Sequence, residues 1–264
     1  MIALSGLTTV TFDFGNTLVP VDRAGLERVV RITAVAAGER CGPFGDGAFL
    51  AAWAEERQRQ FAEEIPRFRE VDLEQRVIRV LARLRGMARP AVGGRWDDDA
   101  AAGRSSPEER AFVLDEYSRA FVAAIVPPPE VGGLLARLAR MYRLGVVSNW
   151  PLAATIDRYV EAAGWRPHLA AVVVSQRVGA IKPHAGIFRA AEVALGNPPR
   201  ASILHVGDDW DADVQGARGA GWRAAYLRSR PADSPLPSSE RPDSGVADLE
   251  LDALAELPDL LSPG

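Results

Sequence analysis

Val10-Thr11-Phe12-Asp13-Phe14-Gly15-Asn16-Thr17-Leu18 joins an apolar, β-branched run to an aspartate and a Gly-Asn turn. This reading puts one carboxylate at the C-terminal tip of an early strand. In an open parallel sheet, ligands bind in the crevice beyond those strand ends. Alone, an Asp before such a turn is an ordinary turn former. Three later stretches answer it in order, each after a strand-like run: Ser148-Asn149, Lys182-Pro183, and Gly207-Asp208-Asp209 with Asp213.

Outward from that stretch, Leu7 to Phe12 reads as a buried strand and Pro20 marks the exit from it. From about Asp22 to Val126 the pattern turns helical and rich in Ala, Arg and Glu. Leu26, Val29, Val30 and Thr33 form one stripe. Phe49, Trp53 and Phe61 suggest a second helix, and Leu73, Val77, Val80, Leu81 and Leu84 a third. Asp97 through Arg104 looks like a loop. Ser106-Pro107-Glu108-Glu109 opens a fourth helix, with Pro in the first turn and acids at the positive end.

Pro127-Pro128-Pro129 returns the chain to a different rhythm. Strand-like runs at 142–148, 171–175, 203–206 and 223–227 alternate with amphipathic segments of about ten residues. Such alternation means βαβ units and a parallel sheet. Residues 230–244, rich in Pro, Ser and Asp, read as a loop or mobile flap, and Val246 to Leu261 as a last docked helix. The expected fold is α/β, a doubly wound, Rossmann-like parallel sheet with an inserted helical bundle. Residues 1–19 and 127–264 would form the core and 20–126 the insertion.

Composition narrows the setting. The 264 residues are 47% hydrophobic and 25% charged, as in an ordinary globular chain. A net charge of −4 argues against nucleic-acid or anionic-membrane partners. One cysteine, Cys41, excludes a disulfide framework and a Cys-based zinc site. The first residues lack a basic leader and no apolar run is long enough for a membrane span, so a cytoplasmic protein is expected. Of 31 basic residues one is Lys, at position 182. That singles out a site where a compact ammonium serves and a planar guanidinium does not.

Taken as one pocket, the strand ends carry a recognisable chemistry. Asp13, Asp208, Asp209 and Asp213 cluster carboxylates, which are tolerated when a divalent cation sits among them. Oxygen ligands on loops suit Mg²⁺, which is commonly shared with phosphate. Ser148 offers a hydroxyl, the turn after it backbone N–H groups, and Lys182 a cation for phosphoryl oxygens. A carboxylate can also be the nucleophile, giving an aspartyl phosphate.

With these residues in view, the chain resembles the haloacid dehalogenase superfamily of hydrolases. The resemblance rests on Phe12-Asp13-Phe14-Gly15-Asn16-Thr17-Leu18, Val146-Val147-Ser148-Asn149, Val178-Gly179-Ala180-Ile181-Lys182-Pro183 with Ile187-Phe188, and Val206-Gly207-Asp208-Asp209 with Asp213. The helical insertion directly after the first motif is similar to an α-helical cap. The resemblance implies that Asp13 is nucleophile and metal ligand, with the Gly15 carbonyl and Asp208 as further Mg²⁺ ligands. Ser148 and Lys182 would grip the phosphate, and Asn149, Asn16 and Thr17 would contact phosphate or substrate. Asp213 would hold Lys182 or a metal-bound water, and Asp209 would stand behind the ligands.

One position departs from the pattern. Phosphatases of this type carry a second Asp two residues after the nucleophile as general acid and base, and here that position is Gly15. Losing such a group costs about 10²–10⁴ in rate. A substitute from the cap or from a bound water is expected, with Asp22 one candidate by proximity. The expected function is Mg²⁺-dependent hydrolysis of a small phosphorylated metabolite, by a monomer or a homodimer joined through the cap. Two alternatives stay open. One is a 2-haloacid dehalogenase, whose relatives also lack the second Asp and need no metal. The other is a weakly active or non-catalytic phosphate-binding regulator. His184 reads as a helix start, His205 as a packed core residue, His168 as unpartnered, and Trp150 as either pocket wall or packing.

Overall fold

β1 (Thr9–Phe12) is buried at every residue and carries a parallel neighbour on each side. The computed structural model describes residues 5–91 and 93–261. The helical segment follows β1: α1 (Arg23–Cys41), α2 (Asp46–Glu64), α3 (Leu73–Leu84), α4 (Asp98–Ala102) and α5 (Pro107–Ala124). The expected fourth helix begins where Ser106 and Glu109 exchange side-chain and backbone hydrogen bonds, a capping box. Residues 97–104, expected as a loop, hold the extra helix α4. Asp97 caps it by accepting from the Ala100 N–H, and Ala101 packs with Ile78, Ala82 and Trp96.

Next come α6 (Pro129–Leu138), β2 (Arg143–Ser148), α7 (Ala153–Ala162), β3 (Ala171–Val174), α8 (Ser175–Val178) and α9 (Ala185–Ala194). β4 (Ile203–Gly207) leads into a wide helical turn, Trp210–Gln215, that continues as α10 (Gly216–Gly219). β5 (Arg223–Leu227) and β6 (Leu249–Leu251) complete a six-stranded, all-parallel sheet in the order β3-β2-β1-β4-β5-β6. β6 replaces the first part of the expected last helix; α11 (Leu257–Leu260) is short. Leu249 and Leu251 sit two apart on a three-residue edge strand, too short to display a period of its own.

This order reverses direction beside β1, which is where a doubly wound sheet opens a crevice. Register sets the height of the site. Phe12 pairs with Val146 on one side and Val206 on the other. Asp13, Ser148 and Asp208 therefore emerge within a residue of the same level. Phe14, immediately past the tip, contacts Trp150, Tyr159 and, from α5, Phe121, with ring centroids 5.1–6.4 Å apart. The helical segment and the sheet thus share one apolar cluster that also contains Val29, Trp53 and Leu81. No single helix among the described residues is long and apolar enough to cross a membrane.

Candidate active site

Asn149 aims the lysine. Its side-chain oxygen accepts from the Lys182 N–H at 2.7 Å and its amide donates to the Lys182 carbonyl at 3.1 Å. The Lys182 side chain, 3% exposed, then reaches the strand tips. Its Nζ donates to Asp13 Oδ1 at 2.7 Å and to Asp213 Oδ1 at 2.6 Å. An ammonium has three N–H bonds, so one remains for a ligand.

Behind this pair runs a buried chain of hydrogen bonds. Asp213 Oδ1 also accepts from His205 Nε2 at 3.0 Å, and its Oδ2 from the Asp209 N–H at 3.0 Å. His205 Nδ1 lies 2.9 Å from the Thr11 hydroxyl. Burial pushes the His205 pKa down against the pull of Asp213, so the ring is neutral. It donates from Nε2 and accepts at Nδ1. Gly207 gives Asp213 its room, because a Cβ there would sit 2.1 Å from the Asp213 Cγ.

Asp208 accepts from the Thr17 hydroxyl at 3.2 Å, and the Arg230 Nη1 lies 3.2 Å from its other oxygen. Asp209 turns away: it caps the following helical turn through the Ala212 N–H and accepts from the Ser239 N–H and hydroxyl. Asn16, in the left-handed region with φ 60°, accepts from the Val21 N–H and donates to Ser234 Oγ. Residues 234–239 therefore strap the mouth of the site. Arg57 holds the strap from α2 by donating to the Pro235 carbonyl at 2.9 Å. Leu236 fills the space a side chain at Gly15 would need, since a Cβ there would meet its Cδ1 at 2.6 Å.

Charge accumulates where these groups meet. Burial, opposed by Lys182 and reinforced by Asp213, lifts the Asp13 pKa to about 6. Burial and the neighbouring Asp13 and Asp213 lift Asp208 to about 8. Burial alone would lower the Lys182 pKa, but Asp13 and Asp213 raise it above its ordinary value. The same ammonium and His205 hold Asp213 low despite its burial. One oxygen from each of Asp13, Asp208 and Asp213 lies within 4.8 Å of the others. Asp213 is committed to Lys182 and His205, which leaves Asp13 and Asp208 as carboxylates whose charges a divalent cation would relieve. The donor set is all oxygen and fits Mg²⁺. Ser148 Oγ is buried without a partner among the described residues, as expected of a hydroxyl kept for a ligand.

The site opens into a cavity of about 290 Å³. Asp13, Gly15, Asn16, Asn149, Lys182, Asp208, Asp209 and Asp213 line it, and Trp150 is part of its wall. Thr17 and Ser148 stand behind that lining. Asp22 does not reach the cavity: it is exposed and caps α1 through the Gly25 N–H. His184 caps α9, and Cys41 is buried in the helical segment. On the side facing the sheet the cavity adds Arg57, Glu70, Arg76 and Tyr117, none of which the sequence marked out. Glu70 accepts from the Ser175 hydroxyl and the Val71 N–H, and burial raises its pKa.

Residues 7–221 match the family model of the haloacid dehalogenase-like hydrolases. The pyrimidine 5'-nucleotidase YjjG of Escherichia coli (strain K12) is 28% identical over 121 residues, which cover 46% of this chain and 53% of that protein. A phosphoserine phosphatase of Thermus thermophilus is 41% identical over 131 residues, 48% of this chain and 50% of that protein. The chain thus spans about half the length of these curated relatives. The crystal structure of a 2-haloacid dehalogenase from Pseudomonas syringae pv. Tomato DC3000 shares the fold, with a TM-score of 0.62, 22% identity, and coverage of 97% of this chain and 98% of that one.

Proposed function

The chain belongs to the haloacid dehalogenase-like hydrolases, and from that membership we propose that it is a Mg²⁺-dependent phosphatase of a small phosphorylated metabolite. The observation that carries this reading is the buried Lys182 ammonium shared by Asp13 and Asp213, beside a third carboxylate, Asp208, that faces the half-buried Arg230. An anionic phosphoryl group needs such a cation, and a divalent metal would add to the partial relief that Lys182 and Arg230 give Asp13 and Asp208, whose pKa values stay raised. The curated relative named as a phosphoserine phosphatase supports the same class.

Asp13 attacks phosphorus, and the bond to the ester oxygen breaks. Lys182 and the Ser148 hydroxyl hold the phosphoryl oxygens while their charge redistributes. Asp13, Asp208 and the Gly15 carbonyl would hold a Mg²⁺ ion, which would supply charge neutralisation. Water then attacks the phosphorus of the Asp13 acyl phosphate, which frees phosphate and restores the carboxylate. Asn149 and Asp213 keep Lys182 in position, and His205 and the Asp209 N–H keep Asp213 in position. Asn16 and Thr17 serve through Ser234 and Asp208.

With Gly15 in place of an acid and Asp22 capping a helix, the proton for the leaving oxygen falls to Glu70. Burial favours its protonated form, and it enters the cavity from the turn before α3. It later takes the proton of the attacking water. In this reading residues 20–126 act as a cap whose residues select the substrate, over a core formed by 1–19 and 127–264.

Phosphate release from a panel of phosphorylated metabolites, with Mg²⁺ or with EDTA, tests the proposal. Turnover should require both Mg²⁺ and Asp13 and vanish in Asp13→Asn. The absence of a side chain at Gly15 favours one second reading, a dehalogenase. It predicts halide release from 2-haloacids that is indifferent to EDTA, and that result would replace the phosphatase.

A further inference from the structure

The cavity has a second cationic end. Arg76, on α3, is 3% exposed, yet its Nη2 has no hydrogen-bond partner among the described residues. Its orientation is fixed. Nε donates to Gln60 Oε1 at 2.8 Å, and Gln60 is itself anchored by donating to the Asp72 carbonyl at 2.7 Å. The guanidinium carbon lies 5.3 Å from the Trp53 ring centroid. Arg57, on α2, lines the same cavity, with its guanidinium carbon 4.5 Å from the Phe61 ring centroid.

Neither arginine forms an ion pair among the described residues. The acids nearby are engaged elsewhere. Glu56 accepts from Trp96 Nε1 at 3.1 Å and lies 3.5 Å from an Arg83 nitrogen. Both Glu70 oxygens accept from Ser175 and Val71. Glu70 and Glu56 act on Arg76 only through space, and a buried guanidinium with a free N–H and no direct ion pair is costly unless a ligand completes it. Burial does lower the Arg76 pKa, to about 10, which still leaves it charged at neutral pH. Most arginines of α2 and α3 behave otherwise: Arg59, Arg79 and Arg83 are each paired with an acid of the segment.

We propose that Arg76 and Arg57 form a subsite for a second anionic group of the substrate, so that the preferred substrates are phosphomonoesters that also carry a carboxylate or a second phosphate. This rests on the phosphatase reading for its chemistry, and on the cavity alone for its binding. The planar guanidinium fork matches either oxyanion. Leu26, Phe61 and Ile65 give the cavity an apolar stretch for the part of the molecule between the two anions.

Two measurements test the subsite. The first is calorimetric binding, in Asp13→Asn and with Mg²⁺, of phosphonoacetate, methylenediphosphonate and methylphosphonate. One or both of the doubly anionic ligands should bind about 10- to 100-fold more tightly than methylphosphonate, the value of one charge-assisted contact. Which of the two wins separates carboxylate from phosphate. That advantage should collapse to within about threefold in Arg76→Gln and in Arg57→Gln, and Arg76→Lys should keep part of it. Equal binding of all three ligands, or an advantage that survives both substitutions, would overturn the subsite. Arg57→Gln, on a half-buried residue, keeps the test meaningful if Arg76→Gln does not fold.

The second measurement is kcat/KM for matched esters with and without the second anion, in wild-type protein. A ratio of one would also overturn the proposal. Arginine-dependent binding without hydrolysis of any ester would leave the subsite standing and remove the phosphatase.

Discussion

Gly207→Ala adds one methyl group to a buried strand end, and its cost follows from one distance. Gly207 is not held in a left-handed conformation, so the backbone tolerates alanine. The new Cβ would lie 2.1 Å from the Asp213 Cγ, where ordinary contact begins near 3.4 Å. The carboxylate must retreat by more than an ångström. Its 2.6 Å bond to Lys182 and its 3.0 Å bonds to His205 and the Asp209 N–H cannot survive that shift together. Lys182 keeps Asp13 but loses half of its buried counter-charge. Breaking a buried pair costs about 3–5 kcal/mol, and the surviving Asp13 contact places the expected loss at the lower end, near 3 kcal/mol. Urea denaturation should show a midpoint lower by roughly 1 M or more, and phosphate release should fall by about 10²–10³ as Lys182 loses its position. The companion variant Asp213→Gly removes the obstacle, including the Asp213 Cβ that would lie 2.4 Å from the new methyl, so Gly207→Ala added to it should cost little. A single mutant within about 0.5 kcal/mol of wild type, or additive costs in the double mutant, would refute the steric reasoning.

Glu70→Gln should slow hydrolysis of alkyl phosphates by about 10²–10³ and of aryl phosphates with good leaving groups far less, because the latter need little protonation; comparing the two rates checks it, and equal losses would remove Glu70 from the proton step. Gly15→Asp alone should fail to raise turnover, since Leu236 occupies the required space, whereas Gly15→Asp with Leu236→Ala should exceed Leu236→Ala alone in kcat with alkyl phosphates. Without a divalent cation, stability should fall as pH rises. Asp13 and Asp208 keep their protons to about pH 6 and 8 in the folded protein but have an ordinary value of 3.8, so the native state binds more protons than the unfolded chain across that window. Denaturation midpoints between pH 5 and 8.5 should show the decline, and saturating Mg²⁺ should flatten it.

The parts of this site that were legible in the sequence are those carried by contiguous runs. Asp13, Ser148 and Gly207-Asp208 each end a strand whose apolar run is local, and the parallel register brings them level. Lys182 stands out because arginine fills every other position among the 31 lysines and arginines. His205 reads as core from its strand, and it is buried; its bond to Asp213 depends on a helical turn that no spacing announces. Asp209 caps that turn and also holds Ser239, so one carboxylate serves both the helical turn and the strap. Arg57 and Arg76 look like any other arginine on a charged helix, and only the packing of α2 against α3 withdraws them from solvent. Glu70 sits in a turn without periodicity, and Leu236 in a Pro- and Ser-rich loop whose path is set by Arg57, Asn16 and Asp209. The strand β6 and the helix α4 were each too short to show a period.

The central claim is that Asp13 carries the phosphoryl group. Acid-quenched protein, mixed with a ³²P-labelled substrate from the metabolite panel and Mg²⁺, should yield a labelled peptide containing Asp13 that loses its label to hydroxylamine, with no label in Asp13→Asn. Hydrolysis that proceeds with no label on Asp13, or with label on another residue, would contradict the account.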